Sequence, residues 1–143
     1  PGVTGNSPFD ETRDGNDARS AGATAQACAL TMKGQQVFKF GVTTICDAVN
    51  GLCEQAGIEV SAIDHFIFHQ ANERILAAAS ARLGLDDTKV ARTLAHTGNI
   101  SSACIPYTID TLARNGELKQ GELIALVGFG AGLDTGSCLM RWS

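Results

Sequence analysis

At 143 residues, with 44% hydrophobic and 18% charged positions, the chain has the size and composition of one globular domain with a well-filled core. Its net charge of -4 and the lack of any basic run give no footing for nucleic-acid binding. Apolar stretches far shorter than a bilayer and the absence of a signal peptide point away from a membrane and toward a cytoplasmic setting.

Pro1 in place of a methionine is expected for an internal or processed start. Residues 1–30 read as a loop or covering segment: Pro1 to Ala27 is rich in Gly, Ala, Ser, Thr, Asn and Asp, and buries too little apolar surface to order itself. A regular domain is expected over 31–143. Val37, Phe40, Thr44, Val49, Leu52 and Ala56 recur near helical spacing, and Gly57 is a plausible stop. Ile63 to Phe68 is short, β-branched and aromatic, which predicts a buried strand. Asn72 to Leu83 predicts an alanine-rich helix closed by Gly84. Another helix is expected from Ser102 to Arg114, with Pro106 in its first turn and Asn115-Gly116 at its end. Glu122 to Phe129 predicts a nearly continuous apolar strand, Gly130-Ala131-Gly132 a tight turn, and Gly136 to Trp142 a last strand. Helices alternating with buried strands indicate a layered α/β domain.

The five cysteines (Cys28, Cys46, Cys53, Cys104 and Cys138) show no CxxC pair and read as reduced thiols. Cys46, Cys53, Cys104 and Cys138 fall in expected helices or the last strand and read as packing. His65 and His69 stand four apart, but Phe66-Ile67-Phe68 between them favours a strand over a helix and no third ligand is evident, so no metal site is expected.

Three loops hold the groups able to do chemistry: His69-Gln70-Ala71-Asn72, His96-Thr97-Gly98-Asn99, and Gly128-Phe129-Gly130-Ala131-Gly132. The first lies where a buried strand ends and a helix begins, the edge at which open α/β sheets build sites. A histidine there donates a hydrogen bond or exchanges a proton near neutral pH, and Asn99 offers an amide donor at any pH. The glycine-rich turn leaves backbone N–H groups bare, as an oxyanion hole requires. Such donors suit acyl transfer or enolate chemistry. Each loop also has a plainer reading, as a structural histidine, an ordinary Gly-Asn turn and a sharp strand connection.

Four segments in one order resemble the ketoacyl-ACP synthase III family of the thiolase superfamily. They are Met32-Lys33-Gly34 with Val37-Phe38-Lys39-Phe40, then Phe68 to Asn72 followed by Arg74, then Gly98-Asn99-Ile100-Ser101-Ser102-Ala103, and Phe129 to Leu133 with Gly136-Ser137 and Arg141-Trp142. The resemblance covers about residues 31 to 143 and implies the C-terminal half of a thiolase-like fold: layered α-β-α, with a mixed sheet and a buried helix. It implies His69 and Asn99 as catalytic donors to the enolate oxygen of a decarboxylating malonyl-ACP, and the backbone N–H of Ala131 as donor to the other oxyanion. Arg74, Lys39, Gln70 and Asn72 are its candidates for contact with the acyl carrier protein or the CoA thioester. No cofactor beyond the substrates acyl-CoA and malonyl-ACP is implied. The nucleophilic cysteine belongs to the family's N-terminal half, so a partner half bearing it, and a homodimer of the whole, are expected. Cys28, in Ala27-Cys28-Ala29, sits too close to Met32 to be that cysteine. The family commonly has three glycines where this chain has Gly130-Ala131-Gly132, and an alanine there permits fewer backbone angles. Two alternatives stand beside this reading. A non-catalytic scaffold would have no need of both His69 and Asn99, and a type III polyketide synthase would show His-Pro-Gly-Gly rather than His69-Gln70-Ala71-Asn72.

Overall fold

The computed structural model describes residues 33–143. The expected covering segment 1–30 and Cys28 lie outside the described residues. Helix α1 (Gly34–Ala56) turns Gly41, Val42, Ile45, Cys46, Val49 and Cys53 inward and keeps Asp47, Asn50 and Glu54 in solvent. It ends as expected at Gly57, where the Gly57 and Ile58 N–H groups cap the last carbonyls at Glu54 and Cys53. Strand β1 (His65–Phe68) follows. It is two residues shorter than Ile63–Phe68 predicts, because the backbone at Val60–Ala62 winds into a 3-10 turn and the Lys89 ammonium takes the Ser61 and Ile63 carbonyls.

Helix α2 (Glu73–Leu83) has Asn72 as its N-cap, whose side chain accepts from the Arg74 N–H, and Gly84 at its end. The one-turn helix α3 (Leu94–Thr97) was not visible in the sequence pattern, being too short to show a period. Helix α4 begins at Cys104 and runs to Arg114, later than Ser102 predicts. Ser101 has φ +56°, a left-handed angle no α-helix accommodates, so the chain makes a 3-10 turn before the helix starts. Strands β2 (Leu123–Phe129) and β3 (Thr135–Arg141) close the order.

The sheet runs β1-β2-β3 and is mixed: β1 and β2 are parallel, β2 and β3 antiparallel. Alternation along the strands builds two cores. Phe66, Phe68, Ala125, Val127 and Phe129 face α1 and α2. Ile67 and Ile124 face the other side, where they pack with Leu112 of α4 and Leu118. The result is the expected three layers, helix, sheet and helix. Among the described residues, no helix is long and apolar enough to cross a membrane. Cys46 and Cys53 are buried, as packing requires, whereas Cys138 is exposed on β3 and packs nothing. That expectation is corrected: β3 is an edge strand of the sheet, and Thr135 to Cys138 are all exposed.

Candidate functional site

The carboxyl ends of the two parallel strands lie side by side. Phe68 is in register with Val127, and the His69 N–H extends the ladder by donating to the Val127 carbonyl at 2.8 Å. This brings His69 against Phe129, their rings edge to face with centroids 5.1 Å apart. A cleft of about 1050 Å³ opens at this edge, and His69, Asn72, Arg74, Asn99, Cys104 and Ala131 are among the residues that line it.

Burial holds the His69 pKa below the ordinary histidine value, so the imidazole is neutral near pH 7. Its Nδ1 lies 2.9 Å from the Cys104 thiol, and among the described residues nothing bonds Nε2. Asn99 reaches the same cleft from the far end of α3. Gly98 makes this possible with φ +65° and ψ -165°, a region open essentially to glycine alone. The Asn99 side-chain carbonyl accepts from the Ser101 N–H at 3.0 Å, which fixes the amide and leaves its NH₂ to donate. Ala131 opens a 3-10 turn, Ala131–Leu133, so its N–H has no partner within that turn. A neutral imidazole, a held amide and a backbone N–H free of its own turn thus meet around one cleft.

The other sequence candidates separate. Arg74 and Asn72 line the cleft, and the Arg74 guanidinium stands 5.8 Å from the centroid of the Phe38 ring. Lys39 is exposed on α1 and is not part of the lining. Gln70, expected to contact the carrier or the CoA thioester, is instead 0% exposed. Its NH₂ donates to the Phe68 and Ala91 carbonyls, while its Oε1 accepts from the Thr93 and Leu94 N–H groups. The side chain thus rivets the His69 loop to the start of α3. His65 is paired with Glu122 at 3.0 Å, and among the described residues no cluster able to hold a metal is present. Cys104 is the residue sequence reasoning missed. It reads as packing, yet it touches His69. The available signal was its place one step beyond the Gly98 to Ala103 motif.

Residues 53–142 match the family described as 3-oxoacyl-[acyl-carrier-protein (ACP)] synthase III C terminal. The chloroplastic beta-ketoacyl-[acyl-carrier-protein] synthase III of Arabidopsis thaliana is 42% identical over 113 residues, covering 79% of this chain and 28% of that protein. The corresponding synthase of Synechocystis is 40% identical over 114 residues, covering 80% of this chain and 34% of that one. Among solved structures, the 3-oxoacyl-(acyl carrier protein) synthase III of Pseudomonas aeruginosa superposes with a TM-score of 0.77 at 37% identity, over 86% of this chain and 39% of the other. The Aquifex aeolicus synthase gives 0.78 at 31% identity, over 83% and 39%. The chain therefore spans about a third of the length of the curated relatives it matches. It has the thiolase-like fold of those structures, and it belongs to the 3-oxoacyl-ACP synthase III family, of which it carries the C-terminal part.

Proposed function

We propose that this chain supplies the carbanion-stabilising half of a decarboxylating condensing enzyme. A cysteine from the N-terminal half attacks acyl-CoA and takes its acyl group as a thioester, while the CoA carbon–sulfur bond breaks and CoA leaves as its thiol. Malonyl-ACP enters the cleft and its Cα–carboxylate bond breaks. Carbon dioxide leaves, and the electron pair stays behind as an enolate with charge on the thioester oxygen. His69 and Asn99 donate to that oxygen. The carbanion then attacks the acyl thioester. The Ala131 N–H helps hold the resulting tetrahedral oxyanion, which collapses to 3-ketoacyl-ACP and releases the cysteine thiolate. Decarboxylation itself generates the nucleophilic carbon, so the reaction as written consumes no cofactor beyond its substrates.

The observation that carries this reading is the convergence of a neutral His69 and an anchored Asn99 on one cleft at the ends of parallel strands. Arg74 at the rim and exposed Lys39 are the contacts proposed for the acidic carrier protein or the CoA phosphates, with Asn72 beside them. We place the reaction in a homodimeric enzyme of an aqueous compartment, the cytoplasm, although the Arabidopsis relative is named chloroplastic. The test joins the chain to the family's N-terminal half and supplies acyl-CoA and malonyl-ACP. Formation of 3-ketoacyl-ACP, lost when the N-terminal cysteine is changed to alanine, is the expected result. A folded complex that acylates its cysteine but never condenses would leave the chain a scaffold and overturn the reading.

A further inference from the structure

Cys104 is the residue at the cleft for which the proposed reaction has no role. Its thiol is 1% exposed and is met from two sides. The Gln70 backbone N–H points at the sulfur from 3.4 Å, and the His69 Nδ1 lies 2.9 Å away. A backbone N–H only donates, so it occupies a sulfur lone pair. The S–H is then the proton available to the imidazole, and Nδ1 is the acceptor. The reverse arrangement, with Nδ1–H donating, would place two N–H donors on one weak acceptor and turn a bare Nε2 lone pair toward the cleft. The sulfur is also held in place. Thr108, one turn further along α4, donates to the Cys104 carbonyl at 2.8 Å and shares a 2.7 Å hydroxyl contact with Thr93, beside the Gln70 rivet.

We infer that Cys104 is a positioning residue that fixes His69 in the Nε2–H tautomer, so that a hydrogen-bond donor faces the cleft. The proton on one imidazole nitrogen is set by the bond the other makes, and for metal-bound histidines the loss of such a partner costs about 10- to 100-fold in affinity or activity. Cys104 acts through His69 and touches no reacting atom. The role rests on His69 being a donor to the enolate oxygen, but the tautomer is measurable with no substrate present.

The experiment is ¹⁵N-histidine NMR on the chain joined to the N-terminal half, at neutral pH, with His69→Gln used to assign the His69 signals. Wild type is expected to show Nδ1 unprotonated and Nε2 protonated; a protonated Nδ1 overturns the inference without recourse to any variant. In Cys104→Ala an Nδ1–H population is expected to appear, with kcat for condensation down about tenfold and KM for malonyl-ACP little changed. Cys104→Ser, which keeps a hydroxyl donor, is expected to restore the Nε2–H form and most of the lost rate. An alanine variant whose tautomer ratio equals that of wild type also overturns it. If the tautomer is as stated but no condensation occurs in wild type, the fault lies with the proposed function and not with the role of Cys104.

Discussion

His69 is constrained from several directions at once. Its backbone N–H belongs to the sheet, its ring leans on Phe129, its Nδ1 meets Cys104, and its burial favours the neutral form. The consequence for stability has a definite sign. A folded-state pKa below the unfolded value of about 6.5 means that the unfolded chain binds the extra proton first. The contribution is therefore fully present above pH 6.5 and is lost as pH falls through the depressed folded value. Urea midpoints for wild type and His69→Gln are expected to diverge less at pH 5 than at pH 7.5, once the shared acid dependence is subtracted; an equal gap at both would contradict it. Gly98 is a second residue with a sharp expectation. Its φ of +65° and ψ of -165° cost a side chain on the order of 1–3 kcal/mol. Gly98→Ala should lower stability by that amount and disorder Asn99, cutting condensation more than any loss of fold explains. Circular dichroism melts and kcat measured on the same samples check both.

At the scale of elements, the helices and strands were legible where the pattern is long. The Gly57 stop of α1, the Asn72 cap and Gly84 end of α2, and the unbroken apolar run of β2 all follow from local rules, and the structure matches them, whereas of the six spaced residues expected on the apolar face of α1 only Val49 is buried and Ala56 is exposed. What the pattern concealed depends on contacts distant in sequence. Lys89 shortens β1 by taking carbonyls that lie more than twenty residues before it, and Ser101 delays α4 through a backbone angle its residue type does not announce. In the cleft, His69, Asn99 and Ala131 could be named from motifs, whereas the burial of Gln70 depends on the Ala91 to Leu94 segment folding over it and the contact of Cys104 on α4 docking beside β1. Two substitutions probe these junctions. A Cβ on Gly41 would stand 3.1 Å from both Ile75 and Phe129, so α1 approaches α2 and β2 as closely as a glycine allows. Gly41→Val is expected to overpack this seam and cost about 1–3 kcal/mol in urea unfolding. Gln70→Met conserves volume but strips four hydrogen bonds, leaving buried backbone groups unpaired at about 1–3 kcal/mol each before relaxation. The expected outcome is a drop of several kcal/mol together with faster amide exchange at Thr93 and Leu94; exchange unchanged there would mean the rivet is not what holds the two loops together.

For the whole molecule, two cores pack on either side of one mixed sheet, behind the edge at which the cleft opens, while the start of β3 stays exposed. The cleft is lined by the loops after β1, α3 and β2 together with residues of α1, α2 and α4, which is why motifs far apart in the chain point to one place. On the proposed function the labour is divided, with acyl capture by the cysteine of the N-terminal half and carbanion stabilisation by this chain. The most direct test is carbon dioxide release from malonyl-ACP by the joined enzyme, comparing wild type with His69→Ala, Asn99→Ala and the double variant. Each single change is expected to slow release by about 10²–10³-fold, the usual effect of losing one fixed donor at an oxyanion, with acylation of the cysteine in the N-terminal half still detectable by mass. The double variant is expected to lose less than the product of the two, since both act on one oxygen. Undiminished release from His69→Ala and Asn99→Ala would contradict the account, because the donors that define this half would then have no part in the decarboxylation.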